Sequence, residues 1–138
     1  MKAGKAAQQA CHVLDVSALL AYLLGETGSE PVGHCIEHSE ALISSVNLAE
    51  VLSKLAERGM SVQDQQALAA TLPLNVVAFD TECACLCAAL RPLSSALGLS
   101  LGDRCCLALA QSRKASVLTA DRIWAQLQLA DVSIVLIR

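Results

Sequence analysis

An α/β domain with a mostly parallel central sheet accounts best for this chain, on three grounds. Five short apolar runs, at residues 11–14, 41–44, 75–79, 116–119 and 133–137, mostly lack period-two alternation, as expected of strands covered on both faces. Helical segments lie between them, and alternating strands and helices are the mark of parallel βαβ units. At 138 residues, 54% hydrophobic and 17% charged, the chain is too apolar for general disorder and too short for a second independent core.

From the N-terminus, a mildly polar extension over residues 1–9 is expected to fray, the whole of 1–138 otherwise forming a single domain. The first strand stops at Asp15 and a helix takes over at 17–24. Residues 25–33, with Pro31, read as a surface loop, leaving a short helix near 31–38 before the second strand. Helices are then expected at 45–58 and 61–71, the third strand at 75–79, and a helix at 81–90. Residues 91–98, with Pro92, read as a second loop. The helix at 100–113 is apolar enough to be buried, and a last short helix at 122–127 separates the fourth and fifth strands.

Composition excludes several functions. The aromatics are Tyr22, Phe79 and Trp124 alone, so base-stacking platforms for single strands cannot be built. The longest uncharged stretch, residues 65–79, contains Gln, Thr, Pro and Asn and is too short and polar to span a membrane. The apolar stretch near the N-terminus is cut by Asp15 before it reaches signal-peptide length, which points to a cytoplasmic protein. The seven cysteines are odd in number and sit within apolar segments, so they read as reduced core residues.

The acids carry the chemistry. Helices that cross over between parallel strands start at the edge where strands end. Asp15 follows the first strand and Asp121 lies two residues past the fourth. Asp103 opens the buried helix, and Glu50 sits in the second turn of its own helix, about 8 Å from the start. Each has a purely structural role open to it: N-caps at Asp15 and Asp121, a capping box of Ser100 with Asp103, and an i, i+4 pair of Glu50 with Lys54. Together on one rim they would repel, and divalent cations or shared protons are the usual remedies. Oxygen-only donors favour Mg²⁺ or Mn²⁺ over zinc.

Four segments carry a resemblance: Val13-Leu14-Asp15-Val16-Ser17-Ala18-Leu19-Leu20, Ile43-Ser44-Ser45-Val46-Asn47-Leu48-Ala49-Glu50-Val51, Leu99 to Ala110 around Asp103, and Val117-Leu118-Thr119-Ala120-Asp121-Arg122-Ile123-Trp124. They are similar to the motif blocks of PIN-domain ribonucleases, above all the VapC-type toxins of toxin–antitoxin pairs. The resemblance implies a PIN-like three-layer sandwich with a five-stranded sheet in order 3-2-1-4-5. It implies an endoribonuclease whose Asp15, Glu50, Asp103 and Asp121 hold Mg²⁺ or Mn²⁺, leaving 5′-phosphate and 3′-hydroxyl ends. It implies that Ser17, Asn47, Ser100 and Thr119 orient the acids or the phosphate. Asn47 has independent support, because at i−3 it shares the helix face of Glu50. By the same resemblance the substrate is structured RNA such as tRNA, its cleavage inhibits translation, a cognate antitoxin silences the protein, and the chain forms a homodimer.

Charge sets a condition on RNA binding. The net charge is −3, and setting aside the four proposed ligands leaves 10 basic residues against nine acidic ones, so no strong basic footprint exists outside the site. Local help is available from Arg104, Arg122, Lys54 and Arg58. The competing readings are a non-catalytic PIN-like interaction module and a zinc hydrolase using His34, Glu37 and His38, which match H-x-x-E-H but show no third ligand. Cys83, Cys85 and Cys87 lack zinc-site spacing, and a haloacid-dehalogenase-like phosphatase needs a second Asp where Ser17 stands.

Overall fold

The computed structural model describes residues 10–138, so the extension over residues 1–9 lies outside the described residues. Strands β1 (Cys11–Leu14), β2 (Glu40–Ser44), β3 (Asn75–Val77), β4 (Ser116–Thr119) and β5 (Ser133–Leu136) pair in parallel throughout, in the order β3-β2-β1-β4-β5. Helices α1 (Val16–Leu24), α2 (Ser29–His38), α3 (Ser45–Glu57), α4 (Val62–Thr71), α5 (Thr81–Ala89), α6 (Arg91–Leu97) and α7 (Leu101–Arg113) surround the sheet, and a 3-10 turn (Arg122–Gln126) precedes β5.

Strand alternation divides the core in two. Val13 lies level with Leu42 and Val117, and this row packs with Cys87, Leu90 and the apolar side of α7. Leu14 and Leu118, paired with each other, point the opposite way with Ile43 and pack against α1, α2 and Val51 and Leu55 of α3. Burial on both faces holds for the three central strands only. At the edges Val76 of β3 is 43% exposed and Val135 and Leu136 of β5 are 40% and 39% exposed, because the helices concentrate over the middle of the sheet.

Both expected loops contain helix. Residues 91–97 form α6, whose Pro92 sits in the first turn, where a missing N–H costs no hydrogen bond. α2 starts at Ser29, inside the expected 25–33 loop, and takes Pro31 into its first turn for the same reason. Gly28, at φ 99°, precedes it, and a Cβ there would lie 2.9 Å from both the side chain and the carbonyl of Ile137, so only glycine lets α2 start this close to the end of β5. The third strand is shorter than expected, and the last short helix is 3-10 rather than α. The cysteines are not uniformly core: Cys35, Cys87, Cys105 and Cys106 are buried, Cys11 and Cys83 are half-buried and Cys85 is exposed. Among the described residues no helix is long and apolar enough to cross a membrane.

The strand order reverses at β1, whose successors lie on opposite sides of it, β2 on one and β4 on the other. Such a switch point opens a crevice at the carboxyl edge of a parallel sheet. The buried polar side chains follow that rule: of Asp15, Ser44, Asn47, Thr119 and Ser94, all but the last stand at the carboxyl edge.

Leu107, fully buried in the middle of α7, tests the core. Leu107→Ala should lower the unfolding free energy by about 2–5 kcal/mol, read in urea as a lower midpoint at unchanged slope.

Candidate active site

The site is built outward from Asp15. Its backbone leaves β1 while its N–H still donates to the Leu118 carbonyl of β4 at 3.0 Å, and its Oδ1 caps α1 by accepting the Val16 N–H at 2.7 Å. The Ser17 and Thr119 hydroxyls both donate to Oδ2, at 2.7 and 2.8 Å. Each hydroxyl also accepts a backbone N–H, Ser17 from Ala120 at 2.9 Å and Thr119 from Asp121 at 3.0 Å. Those amides occupy the hydroxyl lone pairs and turn both protons towards Asp15. A five-member chain of hydrogen bonds thereby ties β1 to the turn after β4, and Asp15 is only 5% exposed within it.

Glu50 and Asp103 come from the two helices that flank this edge. Asp103 completes a capping box at the start of α7: its N–H donates to Ser100 Oγ at 3.1 Å, and its Oδ2 accepts the Ser100 N–H at 2.9 Å. Asn47, wholly buried, donates its amide to the Gly102 carbonyl at 3.0 Å and so clamps α3 to α7. Its Oδ1 is buried without a hydrogen-bond partner. The Glu50 carboxylate packs on Gly102, where a Cβ would come within 2.8 Å of Oε2 and 2.9 Å of Cδ. Glycine therefore leaves the cradle in which this carboxylate lies.

The electrostatics join three of the four acids. Burial pushes the Asp15 carboxyl up, the Ser17 and Thr119 hydrogen bonds pull it down, and the Asp103 charge raises it further. Burial likewise raises Glu50, followed by repulsion from Asp103; Lys54 opposes this, and Asp15 adds to it. Asp121 behaves differently. Its carboxylate is exposed and caps the 3-10 turn by accepting the Ile123 N–H at 3.2 Å, and it meets Asp15 only through its backbone and Thr119. The expected Glu50–Lys54 ion pair is not among the close ion pairs of the described residues.

Glu50, Asp103, Ser17 and Ser100 line an open hollow of about 790 Å³ together with Lys54, Glu57, Glu26 and Arg138. Among the described residues no three His, Cys, Asp or Glu side chains stand in an arrangement that grips an ion as they are. The donor set nonetheless suits a hard divalent cation: oxygen ligands only, two carboxyls raised by burial and by neighbouring negative charge, and an unpaired Asn47 oxygen beside them. The H-x-x-E-H residues lie elsewhere, on α2, with the His34 and His38 rings 4.4 Å apart and His12 lining the same small hollow. Gly102 and Arg138 had no distinct signal in the sequence, since a glycine within a helix and a single basic residue are common in chains of any function.

The PIN domain family model matches residues 12–129. No curated protein matches the sequence. Among solved structures, the chain is similar to VapBC2 from Rickettsia felis bound to a DNA fragment from their promoter, at 17% identity and TM-score 0.70, covering 91% of this chain and 98% of that one. It is similar to DNA-bound VapBC from Salmonella typhimurium, at 19% identity and TM-score 0.68, covering 94% and 99%. It is also similar to VapC20, a sarcin-ricin loop cleaving toxin of Mycobacterium tuberculosis, at 12% identity and TM-score 0.69, covering 88% and 98%.

The crowded acids make three predictions. Adding Mn²⁺ or Mg²⁺ should raise the melting temperature of the wild type by about 3–8 °C and that of Asp103→Asn far less. Gly102→Ala should keep the fold, since alanine favours a helix by about 1 kcal/mol, yet lose most of that rise because the new methyl displaces Glu50. Without divalent ions, Asp15 and Glu50 bind protons more tightly folded than unfolded. Their contribution to stability is therefore most favourable below the ordinary carboxylate range and is lost as pH rises through their raised values. In melts at stepped pH without divalent ions, Asp15→Asn should gain on the wild type as pH rises through that window.

Proposed function

The chain belongs to the PIN-domain family, and on that premise we propose that it is a divalent-metal-dependent endoribonuclease, the toxin of a VapBC-type pair. The observation that carries the proposal is the buried Asp15, its carboxyl raised by burial and by Asp103 and held by two oriented hydroxyls at the switch point of the sheet. Burying a carboxylate beside another is costly, and a protein that needs only a helix cap has cheaper residues for it.

In this reading Asp15, Glu50 and Asp103 hold the metal, Mg²⁺ or Mn²⁺, and Asp121 is the outermost acid of the set. When bound, such an ion screens phosphate charge and supplies hydroxide near neutral pH. The chain's own residues do the positioning. Ser17 and Thr119 fix the Asp15 carboxylate, leaving it little freedom to turn. Ser100 holds Asp103 by one oxygen and leaves Oδ1 free of the capping box. Asn47 sets the spacing between the Glu50 and Asp103 helices.

Structured RNA such as tRNA is the proposed substrate and inhibition of translation the outcome. Support comes from the family and from VapC20, named as a sarcin-ricin loop cleaving toxin. A cognate antitoxin is the proposed partner, since several similar structures are toxin–antitoxin complexes. A homodimer is proposed as well: α4 contributes no fully buried residue and leaves Val62 66% exposed, a surface suited to a second copy.

Inducible expression followed by mapping of RNA 5′ ends tests the activity. The wild type should create discrete new ends, and Asp15→Asn and Asp103→Asn should each reduce them by at least about 10²-fold, with purified protein silenced by excess EDTA. Cleavage that survives both substitutions, or persists in EDTA, would sink the proposal.

A further inference from the structure

The hollow contains an arginine that the acid cluster leaves unused. Arg138, beyond the end of β5, lines it together with Glu26. Its Nη1 donates to Glu26 Oε2 at 3.2 Å and to the Thr27 carbonyl at 2.9 Å. Among the described residues, Nε and Nη2 have no hydrogen-bond partner, so the edge with which a guanidinium grips an oxyanion in two bonds is open. The side chains of the pair are 37% and 42% exposed, and an ion pair so wet is weak enough to be exchanged.

Arg138 also stands apart from the proposed metal ligands. Its partner Glu26 follows the end of α1, whose nine residues, about 13 Å of helix, begin at the Asp15 cap. A phosphate on Arg138 is accordingly a different one from that at the acids. The need for such a contact arises from charge. Lys54 and Arg138 are the cations among the hollow's lining residues, facing Glu26, Glu50, Glu57 and Asp103, and the chain as a whole carries −3. A polyanion held here depends on a few local contacts.

We propose that Arg138 binds a backbone phosphate of the RNA flanking the one at the acids, and that Glu26 restrains it until RNA displaces the pair. The Thr27 carbonyl keeps the guanidinium in place when Glu26 lets go. This inference rests on the nuclease reading and adds to it a residue that contacts substrate and a second that tunes it.

Affinity for a fluorescent single-stranded oligoribonucleotide, measured across a salt series with Mg²⁺ present, tests it. Full-length Asp103→Asn serves as the parent so that the RNA stays intact. Arg138→Ala should weaken binding about tenfold and make the slope of log affinity against log salt shallower by about 0.7, one phosphate's share on a single strand. Arg138→Lys should keep that slope and recover part of the affinity. Glu26→Gln should tighten binding about two- to fivefold. The decisive comparison is Glu26→Gln on the Arg138→Ala background, where the gain should vanish. If it persists in full, Glu26 merely repels RNA and the restraint is refuted; if Arg138→Ala leaves affinity and salt slope unchanged, the phosphate contact is refuted. Neither result bears on wild-type cleavage, whose absence would refute the nuclease reading alone.

Discussion

Repulsion among carboxylates gathered at the carboxyl edge of the sheet is the constraint to which the rest of this molecule answers. Asp15 follows the central strand, its N–H held by the Leu118 carbonyl of β4 and its carbonyl by the first turn of α1, so its backbone cannot swing into water. The fold answers locally with the strongest neutral donors at hand, two hydroxyls and an amide, and still leaves Asp15 and Glu50 raised. What is missing is positive charge, and Lys54 is the side chain that supplies some of it to Glu50. An imbalance accepted where neutral caps would serve is what the proposed external cation would relieve.

The same edge shows how folding and chemistry share atoms. Asp15 and Ser100 begin helices, Asp103 closes a capping box, and Asn47 joins two helices through a single amide. The site is therefore as rigid as the helix starts that compose it. α7 connects it directly to the core, since two residues beyond Asp103 the chain enters an unbroken run of buried side chains from Cys105 to Ala110.

Strong local signals made part of this architecture legible in the sequence. Continuous apolar runs mark the strands, and counting alone places Asp15 and Asp121 at strand ends. Capping residues locate Ser61 and Ser100 correctly at helix starts. Prolines mislead, because Pro31 and Pro92 serve equally well in a loop or a first helical turn, and only the packing of the residues after them decides. The hydroxyl chain through Ser17 and Thr119 is visible in sequence only as a resemblance, since the two residues are 102 positions apart and meet because β1 and β4 are neighbours. Where the Asp121 carboxylate points is beyond the reach of sequence: it depends on whether the turn after β4 winds as 3-10 or α, a choice of one hydrogen bond.

The capping box at Ser100 and Asp103 bears on how loss-of-function substitutions at this edge are interpreted. On the proposed reading aspartate there performs two jobs with different chemical requirements, an acceptor for an amide and a negative charge. Asparagine preserves the first and removes the second; alanine removes both and frays the helix that carries much of the core. A dead alanine variant is thus an ambiguous witness, whereas a dead asparagine variant testifies about charge.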